Sequence, residues 1–323
     1  MQNIQIRSAS PHKKGSETLV VTLHSFGARI TNIQFDNKEL ALTYPDKAQF
    51  ETDQFYLGAS IGPITNRISR STLKVHDQLF TLPSNESSNC LHSGSGGFDL
   101  LDWPIVAKSD SQVVFELDYD LANIGMHGTL TTQITYRIDH NKLTVEYNIV
   151  CDQDTYVNTT NHVYFNLSGQ SVGEQNRPIN DHVFTLYGDH FVDVDDSGIP
   201  TGITTPIESP LTYSIDSSCK YTALSGSVDH HFNVQENDDL SMKLMLEARS
   251  TASKVQLRVT SNSPGYQFYT SAHLGKPFSQ SGGFCVETQY APDAINQQSF
   301  YSPLLQAGKP RTQITTFGFS IEK

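Results

Sequence analysis

Alternation of apolar and polar residues at every second position is the feature that most constrains the fold of this chain. In "LTVEYNI" the residues Leu143, Val145, Tyr147 and Ile149 fall on one side of an extended segment, and polar residues fall on the other. The segment "VVFELDY" (113–119) repeats this pattern. Successive side chains of a strand point to opposite faces, so a period of two is typical of a half-buried strand.

The same period continues along most of the chain. Two alternating segments flank the turn-rich "DHNK" (139–142), which predicts a β-hairpin. Further predicted strands are "ETLVVTLHSF" (17–26), "ARITNIQF" (28–35), "SMKLMLEA" (241–248), "KVQLRVT" (254–260), "FYTSAH" (268–273) and "TTFGFSI" (315–321). Short helices are predicted near "PDKAQFETD" (45–53) and "APDAINQQ" (291–298).

No helical segment is long enough to cover a parallel sheet, which disfavours doubly wound and TIM-type folds. The predicted fold is therefore all-β, a large antiparallel β-sandwich. The sequence contains no internal repeat and no low-complexity linker, so we expect residues 1–323 to form a single domain. Unpaired edges of such a sandwich permit a monomer or a homodimer.

Charge and composition narrow the choice of ligand. A formal net charge of −12 argues against nucleic acid and anionic lipid, and more weakly against a phosphorylated substrate. A neutral small molecule is the expected partner. No apolar run approaches the ~20 residues that span a bilayer, and the first residues lack the apolar centre of a secretory signal. We therefore expect a cytoplasmic protein that does not contact a membrane.

Four cysteines are scattered along the chain, without a CxxC pair or a Cys/His cluster at zinc spacing. They are interpreted as reduced thiols, and no metal site is predicted. The Walker A, HExxH and EF-hand loop patterns are also absent from the sequence.

Glu287 is the strongest single candidate for chemistry. It lies in "GFCVETQ", a strand-like run in which its neighbours are apolar or small. A strand glutamate usually faces water, but an inward-pointing one would lose solvent. Desolvation raises the pKa of a carboxyl group toward neutrality, which suits a general base.

Two histidines and several polar residues are weaker candidates. His162 in "TTNHVYFNL" is predicted to share a strand face with Tyr164. His92 lies in "LHSGSGG", whose glycines predict a tight loop that presents the ring. Each of these residues, taken alone, is as easily structural as functional.

Four further side chains could bind a ligand or simply serve the fold. Asn66 and Arg67 follow Gly62 and Pro63 in "GPITNRI", and are either a rigid hydrogen-bonding pair or surface residues. Asp229 in "SVDHHF" suits a turn as well as a ligand. Gln267 in "PGYQFYTS" has aromatic neighbours that suit a sugar subsite or any strand.

Together these residues lie in seven blocks that resemble, in order, those of the aldose 1-epimerase (galactose mutarotase) family. The blocks are "NRI", "LHSGSGGFD…DW", "NHVYFNLSG", "DSGIPTG", "VDHHF", "PGYQFYTS" and "FCVETQYAPDAIN", and they extend from about residue 58 to 296. The sequence departs from the family at Pro63, where a basic residue is usual, and in "YTSAHL". These departures leave the preferred aldose open.

The resemblance implies a mutarotase-like sandwich and the interconversion of α and β anomers of free aldohexoses without a cofactor. It also implies that Glu287 is the base at the anomeric hydroxyl and His162 the acid at the ring oxygen, with Glu287 ionised and His162 protonated near neutral pH. His92, Asn66, Arg67, Asp229 and Gln267 would bind the sugar, and Tyr164 would line the pocket.

Other classes compete with this interpretation. Asp229 and Glu287 could be the two carboxylates of a glycoside hydrolase, although a histidine acid is unusual there. A non-catalytic carbohydrate-binding protein would need no acid–base pair. An epimerase that acts on maltose or on a sugar 6-phosphate is the nearest alternative, and the acidic charge of the chain disfavours the phosphate.

Overall fold

A computed structural model describes residues 2–8, 18–170, 178–234, 241–301 and 303–322. Within these ranges strands are the predominant regular secondary structure. They are, in order, β1 (Asn3–Arg7), β2 (Leu19–His24), β3 (Arg29–Phe35), β4 (Lys38–Ala41), β5 (Ser60–Ile61), β6 (Arg67–Ile68), β7 (Thr72–Val75), β8 (Gln78–Thr81), β9 (Cys90–Leu91), β10 (Ile105–Lys108), β11 (Gln112–Asp120), β12 (Thr129–Asp139), β13 (Lys142–Cys151), β14 (Thr155–Tyr156), β15 (Thr160–Asn161), β16 (Phe165–Gln170), β17 (His182–Leu186), β18 (His190–Val194), β19 (Pro200–Pro206), β20 (Leu211–Tyr213), β21 (Asp229–Asn233), β22 (Lys243–Ser250), β23 (Val255–Ser261), β24 (Gly265–Tyr269), β25 (Cys285–Gln289), β26 (Leu304–Leu305) and β27 (Arg311–Ile321).

Helices in this part of the chain are single 3₁₀ turns. They are Lys47–Thr52, Ser69–Ser71, Gly94–Gly96, Phe98–Leu100, Leu121–Ile124, Ile179–Asp181 and Thr222–Leu224. No helix among the described residues is long and apolar enough to cross a membrane.

Three large sheets form two layers. One layer is a nine-stranded sheet with the strand order β10-β11-β12-β13-β27-β23-β22-β17-β20. The other combines the five-stranded sheets β1-β2-β3-β4-β16 and β19-β18-β21-β24-β25. These two sheets join edge to edge where Phe165 and Phe284 exchange backbone hydrogen bonds of 2.8 and 2.9 Å. The predicted all-β sandwich is confirmed.

Aromatic side chains fill the space between the layers. Phe35 and Phe165 of the second layer contact Phe319 of the nine-stranded sheet, with ring centroids 5.7 and 6.3 Å apart. Farther along, Phe184 of the nine-stranded sheet contacts Phe268 at 5.0 Å. Both halves of the second layer therefore pack on the same nine-stranded sheet, and burial of these rings supplies most of the driving force for folding.

Most of the predicted secondary structure is confirmed. β12 and β13 form the predicted hairpin around residues 139–142, and their inward residues alternate with half-buried ones. The predictions at 17–26, 28–35, 241–248, 254–260 and 315–321 also contain strands. The first predicted helix exists as the 3₁₀ turn Lys47–Thr52, which Asp46 and Gln49 close with a capping box.

Two predictions were wrong for local reasons. The strand predicted at 268–273 ends at Tyr269, because Ser271 adopts a left-handed backbone (φ 53°). The helix predicted at 291–298 is a series of turns. There the Asp293 carboxylate accepts hydrogen bonds from the Ser69 backbone at 3.1 Å and the Asn296 side chain at 2.6 Å. These bonds compete with helical ones.

Two buried tyrosines anchor the second layer to the nine-stranded sheet. The Tyr136 hydroxyl donates to the Ala28 carbonyl at 2.6 Å, and the Tyr147 hydroxyl donates to the Thr160 carbonyl at 2.8 Å. Ser60 Oγ lies 2.9 and 3.1 Å from these two hydroxyls. The bonds fix the short β5–β15 pair, and His162 follows directly after it.

We predict that Tyr147→Phe lowers the free energy of unfolding by about 1–3 kcal/mol, since it leaves buried acceptors without a donor. Tyr187→Phe is the matched control, because the Tyr187 hydroxyl donates to Glu247 at the surface. Its loss should cost about 0.5 kcal/mol or less. Chemical denaturation of both variants measures the difference, and equal losses would contradict the anchoring role.

Candidate active site

Glu287 is buried on the outer side of the second layer. In β25, Val286 packs into the core between the layers, and the Thr288 hydroxyl contacts Thr315 of the nine-stranded sheet. The alternate residues Cys285 and Glu287 therefore point away from the core. Glu287 is nonetheless only 2% exposed, because loops of the N-terminal half cover this face. The predicted desolvation of this carboxyl group is confirmed.

The space between the loops and the sheet is a cleft of about 200 Å³. It is smaller than the ~300–1,000 Å³ typical of pockets for drug-sized ligands, and it suits a single small ring. Its lining residues are Gln54, Phe55, Tyr56, Asn66, Arg67, Glu86, Leu91, His92, His162, Tyr164, Asp229, Tyr269, His273 and Glu287.

Seven of the eight residues singled out from the sequence line this cleft. They are Asn66, Arg67, His92, His162, Tyr164, Asp229 and Glu287. The eighth, Gln267, lies opposite Glu287 in the β24–β25 register and is not part of the lining. Its Nε2 donates to Asp229 Oδ1 at 2.7 Å, so Gln267 orients a lining residue.

His162 and Glu287 form a buried pair of titratable groups in the cleft. His162 Nε2 lies 3.7 Å from Glu287 Oε1. Backbone bonds hold the histidine in place: its N–H donates to Ala59 at 2.9 Å, and its carbonyl accepts from Gly58 at 3.0 Å. The Tyr164 ring packs 4.9 Å from the imidazole, as the predicted shared face implies.

His92 is held as a hydrogen-bond donor toward the cleft. A left-handed turn at His92 and Ser93 (φ 54° and 69°) presents the ring, as the tight loop predicted. The backbone N–H of Asn66 donates to His92 Nδ1 at 3.1 Å. A neutral imidazole that accepts at Nδ1 carries its proton on Nε2.

Burial shifts the pKa values of the acid–base pair in opposite directions. It raises the pKa of Glu287 well above its usual range; nearby Asp229 adds to this shift and Arg67 opposes it. It lowers the pKa of His162 to about 4. The pKa of His92 is also lowered, by burial and by repulsion from His162 and Arg67. Both shifts oppose the ionised Glu287 beside a protonated His162 that the family resemblance implied.

Arg67 is neutralised before any ligand arrives. Its Nε and Nη2 donate to both carboxylate oxygens of Glu86, at 2.7 and 2.9 Å. Its Nη1 lies 4.0 Å from Asp229 Oδ2. Such a bidentate pair fixes the guanidinium plane. Arg67 is the only lysine or arginine among the lining residues, so the cleft has no cation free for an anionic ligand.

A metal ion is the other use that this cluster could serve. His92, His162 and Glu287 offer ligand atoms that lie within 4.8 Å of one another. A metal-bound histidine ordinarily donates its second ring N–H outward. His92 Nδ1 instead accepts from the Asn66 backbone, so metal binding through Nε2 would require this bond to break. The cluster is arranged for proton donation rather than for metal ligation.

Several lining residues were missed by sequence reasoning. Glu86 follows no motif, and its role depends on a loop that returns to Arg67. Tyr56 packs edge-on against His92 with ring centroids 4.5 Å apart. His273 falls in "YTSAHL", the segment that departs from the family, so this departure was a usable signal. Pro63, the other departure, is absent from the lining.

The fold and the cleft place the chain in a known class of β-sandwich protein. It resembles an aldose epimerase homologue from C. elegans with a TM-score of 0.85, at 23% identity and with all of both chains covered. It also resembles the galactose 1-epimerase of Lactobacillus acidophilus, with a TM-score of 0.78 at 21% identity, covering 100% of this chain and 99% of the other. These likenesses show the fold.

Sequence comparison identifies the family. The model of the aldose 1-epimerase family matches residues 13–318. The galactose mutarotase of Rattus norvegicus is 32% identical over 95% of this chain and 92% of its own length. The aldose 1-epimerase of Escherichia coli (strain K12) is 30% identical, over 94% and 93%. The chain belongs to the aldose 1-epimerase family, which is a family of isomerases, as the sequence motifs predicted.

We predict that Glu287→Gln makes the protein more stable than the native form, by a margin that grows as pH rises. A carboxyl whose pKa is raised by folding stabilises the fold below its unfolded pKa of 4.5, and this contribution is lost as pH rises toward the folded pKa. Glutamine carries no such penalty. Calorimetric melting temperatures of both proteins between pH 5 and 9 test this, and a pH-independent difference would contradict it.

Proposed function

We propose that this protein interconverts the α and β anomers of free aldohexoses such as galactose and glucose. The observation that carries the proposal is the buried pair of His162 Nε2 and Glu287 Oε1, 3.7 Å apart. Ring opening needs one group to remove a proton and a second group to deliver one, close together and shielded from water. The names of the relatives and the family support galactose as a substrate.

In the proposed reaction, the Glu287 carboxylate removes the proton of the anomeric hydroxyl. A C1=O1 double bond forms as the C1–O5 bond breaks, and O5 takes the Nε2 proton of His162. The aldehyde group turns about C1–C2 and presents its other face. Reversal of both proton transfers closes the ring with the opposite configuration, so no electrons or groups are gained or lost.

The observed pKa shifts fit this cycle. An ionised Glu287 with a protonated His162 carries the same number of protons as a neutral Glu287 with a neutral His162. Ring opening converts the first arrangement into the second. Burial favours the neutral pair in the ligand-free cleft. A substrate hydroxyl that donates to Glu287 on binding favours the ionised pair. Substrate binding therefore shifts the pair toward the arrangement that begins ring opening.

Substrate hydroxyls have a set of fixed partners. Asp229, oriented by Gln267, accepts from hydroxyls, and Arg67, oriented by Glu86, donates through Nη1. His92 Nε2–H donates toward the ring oxygen, where negative charge develops on opening. Asn66 presents its side chain beside them, and Tyr164 forms the apolar wall.

Charge in the cleft favours a neutral sugar over a sugar phosphate. Arg67 faces Glu86, Asp229 and Glu287, so acidic groups outnumber the one guanidinium. A phosphate would meet repulsion without a free cation to offset it. A binding protein without activity is also disfavoured, because hydroxyl binding alone would not need an imidazole beside the buried carboxyl.

We also propose that residues 1–323 work as one domain, because the cleft takes side chains from Gln54 through Glu287. A monomer or a homodimer is proposed, because the unpaired edges of a sandwich permit both. All four cysteines are free, which suits the reducing cytoplasm.

Polarimetry of freshly dissolved α-galactose and α-glucose tests the activity. We expect the native protein to speed the approach to anomeric equilibrium. Glu287→Gln and His162→Asn should each lower kcat by about 10²-fold or more, because each removes one proton-transfer group. Glu116→Gln and His140→Asn are matched controls on the nine-stranded sheet and its surface hairpin, and they should retain the native rate.

Two outcomes would contradict the proposal. Equal rates with and without protein over several free aldoses and maltose would exclude mutarotation. Release of new reducing ends from disaccharides or aryl glycosides would indicate hydrolysis instead. Sugar binding by Glu287→Gln with a lost rate would separate catalysis from binding alone.

The rate should have a bell-shaped pH profile. Activity needs one proton shared by the pair, so it falls when a second proton binds and when the last one leaves. Because burial sets the pKa of His162 near 4 and raises that of Glu287, the acid limb reports the imidazole and the alkaline limb reports the carboxyl. Initial rates between pH 4 and 10 test this, and a flat profile between pH 5 and 9 with no limb beyond it would contradict it.

A further inference from the structure

A buried thiol contacts the side of His162 that faces away from Glu287. Cys285 Sγ lies 3.5 Å from His162 Nδ1. Cys285 is fully buried in an apolar cluster with Tyr164 and Leu274. It shares the outer face of β25 with Glu287, two residues along. The imidazole is therefore held between a sulfur on Nδ1 and a carboxyl on Nε2.

The surroundings keep this sulfur protonated. Burial raises the pKa of Cys285 well above its usual range, and the Glu287 and Asp229 carboxyl groups add to the shift. A thiol is a weak donor, and it can donate S–H to Nδ1 of a neutral imidazole at this distance. The ring proton then lies on Nε2, which is the nitrogen that faces Glu287 and the cleft.

We propose that Cys285 is a positioning residue that holds His162 in its Nε2-protonated tautomer and keeps the imidazolium form a strong proton donor. This inference rests on the proposed function of the same cleft. It assigns a catalytic consequence to a side chain that touches no substrate.

Sulfur as the partner of Nδ1 explains why the imidazolium form of His162 remains a strong proton donor. In the Ser-His-Asp triad a carboxylate accepts the Nδ1 proton and stabilises the imidazolium. A thiol sulfur is a poor acceptor and gives little such stabilisation. His162 therefore remains acidic when protonated, which suits delivery of a proton to an ether-like ring oxygen. Charged groups near the pair act on it as well, from β21 (Asp229) and from Asp53, and the variants below leave them unchanged.

Two substitutions at Cys285 separate positioning from packing. Cys285→Ala removes the Nδ1 partner, and we expect kcat to fall about 10-fold or more with KM nearly unchanged. Cys285→Ser restores a donor, and we expect most of the native kcat to return. The serine oxygen is a better acceptor than sulfur, so the acid limb of the pH profile should move to higher pH. Cys151→Ala, a buried cysteine on β13, is the matched control and should leave the rate and profile unchanged.

Nitrogen NMR of the His162 ring tests the tautomer without any activity measurement. We expect Nε2 to carry the proton in the neutral ring of the native protein, and a mixture of tautomers in Cys285→Ala. An Nδ1-protonated ring in the native protein would overturn the proposal, and so would a native kcat and pH profile in Cys285→Ala. If that variant does not fold, the native spectrum decides alone. Absence of mutarotation in the native protein would contradict the proposed function. The NMR spectrum would still test the tautomer of His162 independently.

Discussion

Burial of the Glu287 carboxyl group on the outer face of the second layer determines most of what this cleft can do. The side chain is 2% exposed, and its Oε2 has no hydrogen-bond partner among the described residues. A buried polar atom without a partner is costly to a folded protein. Here the atom without a partner lies at the cleft, where a substrate hydroxyl can donate a hydrogen bond to it. The fold thus sacrifices stability where a ligand restores the missing bond.

The geometry of a strand makes this arrangement possible. Consecutive residues of β25 serve two purposes, because Val286 and Thr288 face the nine-stranded sheet and Glu287 faces the cleft. The core therefore fixes the Glu287 side chain directly, with no flexible loop between them. His162 is held in a similar way, since the tyrosine hydroxyls of the nine-stranded sheet anchor the segment that precedes it. Both members of the pair are placed by rigid elements, as proton transfer over short distances requires.

Whether a feature of the fold or the cleft could be predicted from the sequence depends on how far apart in the sequence its contacting residues lie. Alternation is local, so the hairpin at 139–142 and the sandwich class followed from it. The apolar neighbours of Glu287 suggested a shielded carboxyl, although loops distant in the sequence supply its burial. Glu86 and Cys285 were missed, because their roles depend on contacts with residues 19 and 123 positions away. The lowered pKa of His162 was missed for the same reason, since its burial comes from residues that are distant in the sequence.

Electrostatics link the pair to the kind of sugar that the cleft accepts. Glu86 holds two of the three guanidinium nitrogens of Arg67, and Asp229 lies near the third. Such a guanidinium is a directional donor with little net charge to attract an anion. Its remaining positive field still reaches Glu287 and lowers the cost of ionising that carboxyl. If Glu86 were absent, Arg67 would exert a stronger field on Glu287 and would be free to bind phosphate. Glu86 therefore limits two properties together, the ionisation of Glu287 and the affinity of the cleft for anions, and the second fits the neutral aldose proposed as substrate.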